Sequence, residues 1–168
     1  MKLLVAIFAL FPVCAFATTD SQFGVGLGTR YGGILGLNYS LSGELDKFYI
    51  GAGRADLFRK DEPESYGLTL GWERAMNENH ALGFAFRTRT INGEGLYYPA
   101  GYFGLEESTE KKDGYETSLF GTYTYYFSGT NQSGFLTGAN IGKSYYKDNV
   151  RSDYKDGVAI GLHFGYQF

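Results

Sequence analysis

The residues of this 168-residue chain that could do chemistry are ionisable side chains scattered among small and apolar neighbours. Arg89 could pair with Glu116, and Lys47 with Glu73, if the segments that carry them lie side by side, and Arg87 lies on the same face as Arg89. Opposite charges attract strongly in a poorly hydrated space, but each is costly when its partner is missing. The favoured interpretation is a structural network of salt bridges, with a narrow or gated ion path as the alternative.

Catalytic and metal-binding arrangements are harder to assemble. The two histidines, His80 and His163, are distant in sequence, and the chain has no histidine cluster with the spacing of a metal site. An acyl-transfer enzyme needs a nucleophile or a base held against an orienting group, and no such set can be matched. We therefore expect His163 to be a hydrogen-bonding side chain of the interior, and we expect no catalytic activity and no cofactor.

The elements that must position these residues are β-strands. From Val158 to Phe168 every second residue is apolar, and the residues between are small or polar. A strict period of two marks a strand with two different faces, and an apolar face of this length suits a strand that meets lipid. Further segments alternate similarly, each roughly the 9–11 residues that a tilted transmembrane strand requires. The predicted strands are residues 22–31, 33–41, 47–55, 65–74, 81–91, 115–127, 134–144 and 157–168.

The connections between the predicted strands alternate in length. The short polar connections are residues 42–46, 75–80 and 128–133. The long charged connections are residues 56–64, 92–114 and 145–156. Short turns at one end and long loops at the other are typical of outer-membrane barrels. The predicted fold class is therefore all-β, an eight-stranded antiparallel up-and-down transmembrane β-barrel. A soluble β-sandwich or lipocalin-like barrel, which would hold its apolar side chains inside, is the alternative.

The first strand and the aromatic residues carry two further expectations. Thr29 and Tyr31 continue the outward face of strand 1, after which Gly32 and Gly33 form a tight turn. Aromatic rings gather near both ends of the strands, as expected for side chains at two lipid–water interfaces. The outer girdle holds Tyr31, Tyr66, Tyr115 and Tyr145, and the inner girdle holds Phe48, Trp72, Tyr125, Phe127, Phe135, Tyr166 and Phe168.

The first residues of the chain predict a secretory signal peptide. A positive start is followed by an apolar run over residues 3–13 and by a small-x-small site that ends at Ala17. Cleavage there would separate a signal peptide, residues 1–17, from one barrel domain, residues 18–168, and would remove Cys14, the only cysteine. The net charge of −3 and the lack of a basic stripe predict no nucleic-acid partner.

The end of the chain carries a resemblance to a known signal. Phe164, Tyr166 and Phe168 resemble the C-terminal assembly signal of bacterial outer-membrane β-barrels, which implies recognition by the barrel-assembly machinery during biogenesis. In strand pattern and length the chain resembles the small eight-stranded outer-membrane barrels, such as the OmpA transmembrane domain and OmpX-like proteins. That resemblance implies a place in the outer membrane of a Gram-negative bacterium, with membrane lipid and lipopolysaccharide as neighbours.

The longest predicted loop carries aromatic residues that could contact an extracellular ligand: Tyr97, Tyr98, Tyr102 and Phe103. Exposed aromatic patches mark protein or membrane contacts, although these rings could instead extend the outer girdle or cover the barrel mouth. The expected function is non-enzymatic and concerns envelope integrity or surface contact through the loops. A small porin-like channel for ions or small solutes is the alternative, and a lipid-modifying enzyme of the outer membrane is the third reading. The sequence leaves the oligomeric state open.

Overall fold

The computed structural model describes residues 20–55, 65–91, 114–148 and 154–168. Eight antiparallel strands pair in chain order and close into a barrel. No helix in these four stretches is long and apolar enough to cross a membrane. The strands are β1 (Asp20–Gly28), β2 (Gly33–Ser42), β3 (Asp46–Arg54), β4 (Tyr66–Ala75), β5 (His80–Ile91), β6 (Gly114–Tyr126), β7 (Gly134–Asp148) and β8 (Tyr154–Gln167).

The predicted all-β fold with eight antiparallel strands is confirmed. It could be predicted because apolar and polar residues alternate with a period of two along each strand. Strand lengths differ from the prediction at both ends of the chain. β1 ends at Gly28, before the predicted end at residue 31, whereas β7 continues to Asp148 and β8 begins at Tyr154. The predicted signal peptide and its cleavage site lie outside the described residues.

The barrel wall carries apolar side chains outside and polar ones inside. Leu162 and Ile160 are 71% and 69% exposed, whereas Lys47 and Glu73 are 4% and 1% exposed. A charged interior is the reverse of a lipocalin-like core, which holds its apolar side chains inside. Apolar side chains of four different strands are exposed in the same way: Leu70, Phe84, Leu119 and Leu162.

The prediction that Thr29 and Tyr31 continue the outward face is wrong. Both side chains are buried inside the barrel, in a single turn of 3₁₀ helix, Thr29–Tyr31, which we call the inner turn. The chain leaves the wall at Gly28, whose φ of 92° is a left-handed conformation that side chains with a Cβ rarely adopt. Gly32, with φ of 77°, returns the chain to β2.

Glycines on neighbouring strands make room for the inner turn. A Cβ at Gly51 of β3 would collide with the backbone carbonyl of Arg30, and a Cβ at Gly67 of β4 would collide with that of Gly32. The Thr69 hydroxyl of β4 donates to the Thr29 carbonyl at 2.6 Å. The connection between β1 and β2 is therefore packed against the inside of the wall formed by β3 and β4.

The register of the strands is staggered around the barrel. Residues that pair directly across neighbouring strands form a row around the barrel. The row that begins at Val25 of β1 crosses each strand in turn and reaches Asp156 of β8. Val25 itself pairs with Tyr166 of β8, so the row closes with an offset of ten residues, from 156 to 166. An eight-stranded barrel of this kind has strongly tilted strands and an interior that side chains can fill.

Candidate functional site

The centre of the interior is organised by Arg30 of the inner turn. Its side chain is 1% exposed, and its Nη1 donates to Glu73 Oε1 at 2.6 Å. Its guanidinium carbon lies 4.1 Å from the centre of the Tyr49 ring and 5.8 Å from that of Tyr126. A guanidinium between aromatic faces and a carboxylate is stabilised by both, which offsets part of the cost of burying its charge.

Arg30 was missed by the sequence analysis, which placed residues 22–31 in one strand. The signal that could have found it is its position between Gly28 and the Gly32-Gly33 pair. Glycines on both sides permit the chain to turn sharply, and an arginine at the tip of such a turn needs an anionic partner if the turn is buried.

Glu73 of β4 is the anion at which several elements meet. Besides Arg30, it accepts hydrogen bonds from two β6 side chains, Thr124 Oγ1 to its Oε1 and Tyr126 OH to its Oε2, each at 2.6 Å. These donors satisfy both carboxylate oxygens of a side chain that is 1% exposed. Glu73 therefore ties the inner turn, β4 and β6 together across the lumen.

Lys47 of β3 stands opposite Glu73 in the register, as the sequence predicts, but its ammonium group bonds elsewhere. Its Nζ donates to Gln22 Oε1 at 2.9 Å, to Gln167 Oε1 at 3.1 Å and to the Thr130 carbonyl. The predicted Lys47–Glu73 ion pair is replaced by the Arg30–Glu73 pair, because the guanidinium enters from the inner turn and occupies the carboxylate.

The short-turn mouth of the barrel is covered by the connection between β6 and β7. Besides the Lys47 bond to Thr130, Gln167 Nε2 donates to the carbonyls of Thr130 and Gln132 at 3.1 and 2.6 Å. A cavity of about 10 Å³ remains beside Lys47 and Glu73, which is room for a single water molecule. The lumen is thus closed at this end by side chains and by a turn.

A second cluster of charges lies toward the long loops. Arg89 is directly opposite Glu116 in the register. Its Nε donates to Glu116 Oε2 at 2.7 Å, and Arg87 Nη2 donates to Glu116 Oε1 at 2.9 Å. The Ser144 hydroxyl donates to the same Oε1 at 3.1 Å. Two guanidiniums therefore share one carboxylate.

His163 of β8 lies between the two charged clusters and is 3% exposed. Its Nε2 is 3.1 Å from Thr124 Oγ1, and its Nδ1 is 3.1 Å from Asn140 Oδ1. The Thr124 hydroxyl donates its proton to Glu73, so its oxygen accepts from His163 Nε2, and Nδ1 of the neutral imidazole is then an acceptor for the amide group of Asn140. His163 extends the hydrogen-bonded network from Glu73 toward β7, and the hydroxyl that it contacts, Thr124 Oγ1, already donates its proton to Glu73.

The interior groups are arranged to neutralise one another and to fill space. Glu73 and Glu116 are both enclosed by donors from several strands, which leaves neither oriented toward a space that could hold a substrate. Within the residues that the structure describes, no group of three or more His, Cys, Asp or Glu side chains could hold a metal ion. The arrangement can therefore brace the wall and block the lumen.

The outward residues at the short-turn end form aromatic contacts. Phe164 stacks on Phe135 with ring centres 5.7 Å apart, and Tyr166 contacts Phe168 edge to face at 5.0 Å. His80, predicted to lie in a turn, is the first residue of β5, and its Nδ1 is 2.7 Å from the Tyr123 hydroxyl. The loop residues Tyr97, Tyr98, Tyr102 and Phe103 lie outside the described part of the chain.

Comparison of the chain with protein-family models, with curated proteins and with solved structures finds no match in any of the three. A function is therefore inferred from the apolar exterior, the charged interior and the inner turn.

Proposed function

We propose that this chain spans the outer membrane of a Gram-negative bacterium as a sealed, non-enzymatic barrel. In this proposal it contributes to envelope integrity or presents its long loops for surface contact. The observation that carries the proposal is the reversed polarity of the wall. Leu37, Leu162 and Ile160 are each more than 60% exposed, whereas Arg30 and Glu73 are each 1% exposed.

An apolar exterior of this extent favours a lipid environment. Soluble monomers rarely expose contiguous apolar patches larger than a few hundred Å². A closed barrel satisfies its backbone groups between strands, which a chain in hydrocarbon requires. Rings such as Trp72 and Phe84, stacked with centres 6.2 Å apart, suit the interfacial girdle of such a barrel.

The sealed lumen favours a structural or contact function over transport. The inner turn fills the centre, the Arg30–Glu73 pair ties it in place, and the 128–133 connection covers one mouth. Ions would have to displace a hydrogen-bonded network of buried charges to pass.

The partners of this function are proposed from the same surfaces. Membrane lipid and lipopolysaccharide would contact the outward apolar face, and the barrel-assembly machinery would read Phe164, Tyr166 and Phe168 during biogenesis. An extracellular ligand would bind at the longest loop. No cofactor is required by this function.

Cell fractionation tests the proposed outer-membrane location, and planar-bilayer recording tests whether the lumen is closed to ions. We expect the wild type in the outer-membrane fraction, with a gel mobility that changes on heating and with no steady conductance. Deletion of Phe168 should reduce insertion and leave the chain degraded or aggregated. A wild type that is soluble in the periplasm would overturn the membrane proposal, and steady single-channel conductance would replace the sealed barrel with the porin-like alternative.

A complementation experiment separates the two non-enzymatic functions. A strain that lacks the chain is challenged with detergent and complemented by the wild type or by a variant in which a short turn replaces residues 92–113. Rescue by both proteins supports envelope integrity, whereas rescue by the wild type alone supports contact through the loop. Detergent resistance that is unchanged in the deletion strain would contradict the integrity function.

A further inference from the structure

The charged cluster near the long loops holds more positive charge than negative charge. Arg87 and Arg89 both pair with Glu116, and neither guanidinium contacts a second carboxylate among the residues that the structure describes. Arg87 and Glu116 are 14% and 10% exposed, and Arg89 is 29% exposed. A charge that water reaches only in part is costly unless an opposite charge lies close to it. One positive charge of this cluster is therefore left without a counter-charge.

The carboxylate of Glu116 is already fully occupied. Its Oε2 accepts from both Nε and Nη2 of Arg89. Its Oε1 accepts from Arg87 Nη2 at 2.9 Å and lies 3.1 Å from the hydroxyl oxygens of Ser118 and Ser144. Because each oxygen has at least two donors, Glu116 cannot offer the arginines further acceptors without losing bonds that it already makes.

The two guanidiniums, by contrast, keep donors in reserve. Within the described part of the chain, Arg87 donates only through Nη2, and its Nε is buried without an acceptor. Arg89 donates through Nε and Nη2, which leaves its Nη1 without an acceptor among the same residues. We call these unused N–H groups of Arg87 and Arg89 the free donors. A buried polar group is normally hydrogen-bonded, so the free donors indicate that an acceptor belongs beside them.

The surroundings hold the two guanidiniums in place above the inner turn. The guanidinium carbon of Arg87 lies 5.2 Å from the centre of the Phe120 ring, which is 1% exposed. Arg87 is opposite Thr69 in the register, and the Thr69 hydroxyl donates to the inner turn. Arg89 lies two residues nearer the long loops and is the more exposed of the two. A ligand that arrives from the long-loop end would therefore meet donors that are already ordered, which lowers the cost of binding.

We propose that the free donors of Arg87 and Arg89 bind a small monocarboxylate anion at the long-loop end of the lumen. A single negative charge matches the one positive charge in excess, whereas a dianion would place surplus negative charge beside Glu116. The planar pair of carboxylate oxygens also fits the planar edge of a guanidinium. The inner turn closes the lumen below, so the barrel would capture such an anion without passing it. The site goes beyond envelope integrity and loop contact, and it does not depend on where the barrel resides.

NMR of the arginine side chains tests the site directly. The purified barrel, labelled with ¹⁵N and held in micelles of an uncharged detergent, is titrated with sodium acetate in place of sodium chloride at constant ionic strength. The Nε–Hε signals of Arg87 and Arg89 should shift and reach saturation, with half-saturation at about 1–10 mM because so small a ligand makes few contacts. Sodium phosphate at the same ionic strength should bind about tenfold more weakly or less, since its second charge is repelled by Glu116.

Two matched arginine variants provide the complementary test. Arg87→Gln removes the excess charge but leaves the Arg89–Glu116 pair, so the half-saturation concentration read at Arg89 should rise about tenfold or more. Arg74→Gln is the control, because Arg74 is 52% exposed and pairs with Asp46 near the short turns, and it should leave acetate binding unchanged. If Arg87→Gln does not fold, the wild type still decides the question, because bound acetate should raise the urea midpoint of the barrel whereas chloride should not.

Three results would overturn the proposal. One is the absence of a saturable shift at Arg87 and Arg89, since water would then be the acceptor of the free donors. Another is equal acetate affinity in the wild type and in Arg87→Gln. The third is tighter binding of phosphate than of acetate, which would contradict the choice of a singly charged carboxylate. These results concern the interior cluster alone, and the membrane location and the closed lumen are decided separately by fractionation and conductance.

Discussion

At the scale of single residues, the interior depends on two carboxylates in different surroundings. Glu73 and its partner Arg30 are both 1% exposed, whereas Arg89, which pairs with Glu116, keeps 29% of its side chain exposed. Removal of one partner from a buried pair leaves an uncompensated charge, and that cost decreases as water reaches the charge that remains. The two sites should therefore respond to the same substitution by different amounts.

Glu73→Gln should destabilise the barrel by about 3–5 kcal/mol, because Arg30 would remain buried without its counter-charge. Addition of Arg30→Met should recover part of the loss. Urea unfolding of the reconstituted protein measures each free energy, and a double-mutant cycle gives the coupling. Simple additivity of the two substitutions would contradict a direct interaction.

Glu116→Gln should destabilise the barrel less than Glu73→Gln does. Addition of Arg89→Gln should recover only a fraction of the loss, since Arg87 also donates to Glu116 and would still lack its acceptor. The same unfolding assay, applied to the matched variants at both sites, ranks them. A larger loss at Glu116 than at Glu73 would show that water reaches the centre of the barrel more readily than the long-loop end.

At the scale of elements, the period of two explains most of what the sequence predicted. Alternating residues identify each strand, and the register of Lys47 with Glu73 follows from counting back from the two ends of the long 56–64 connection. Alternation could not reveal where β1 ends, since Thr29 and Tyr31 fit an outward face in spacing. Their burial depends on room made by Gly51 and Gly67, which are distant in sequence, and a local pattern holds no information about such contacts.

The partners inside the lumen show the same limit. Arg89 and Glu116 lie on adjacent strands, so their pairing could be predicted from the hairpin alone. Arg30 and Glu73 are 43 positions apart and belong to elements that do not pair in the wall. The register therefore predicts Lys47 as the partner of Glu73, whereas the guanidinium that enters from the inner turn cannot be found by counting along the strands.

The two faces of β8 should differ in their response to arginine. Leu162→Arg should destabilise the barrel in lipid by about 2–4 kcal/mol, because the charge would lie in hydrocarbon. Gly161→Arg should act through crowding, since a Cβ there would already collide with Thr29 Oγ1. Cysteines placed along β8 and probed with a lipid-soluble quencher supply the control, and equal quenching at odd and even positions would contradict the face assignment.

At the scale of the whole molecule, the seal is expected to lie in the centre of the barrel and not at its long-loop end. The double variant Arg30→Ala, Glu73→Ala removes the central pair without leaving an unpaired charge, and it should give a measurable conductance in planar bilayers. Arg89→Gln with Glu116→Gln should remain closed, because the inner turn is still in place. Conductance from the Arg89→Gln, Glu116→Gln variant alone would show that the lumen is closed by the charged cluster near the long loops and not by the Arg30–Glu73 pair.

The inner turn also sets an order of events during folding. It joins β1 to β2, yet it contacts Thr69, and its arginine reaches Glu73, which β6 side chains hold from another direction. We expect this segment to enter the lumen before β8 meets β1, while the sheet is still open. A cysteine in place of Thr29 should thus become inaccessible to a thiol reagent before the last strand docks, as pulse labelling during refolding would show. If the introduced thiol became protected from the reagent only after β8 had docked, this order would be contradicted. The connection between β1 and β2 is therefore expected to enter the barrel interior early. The last strand, β8, then closes the wall around interior side chains that are already in place.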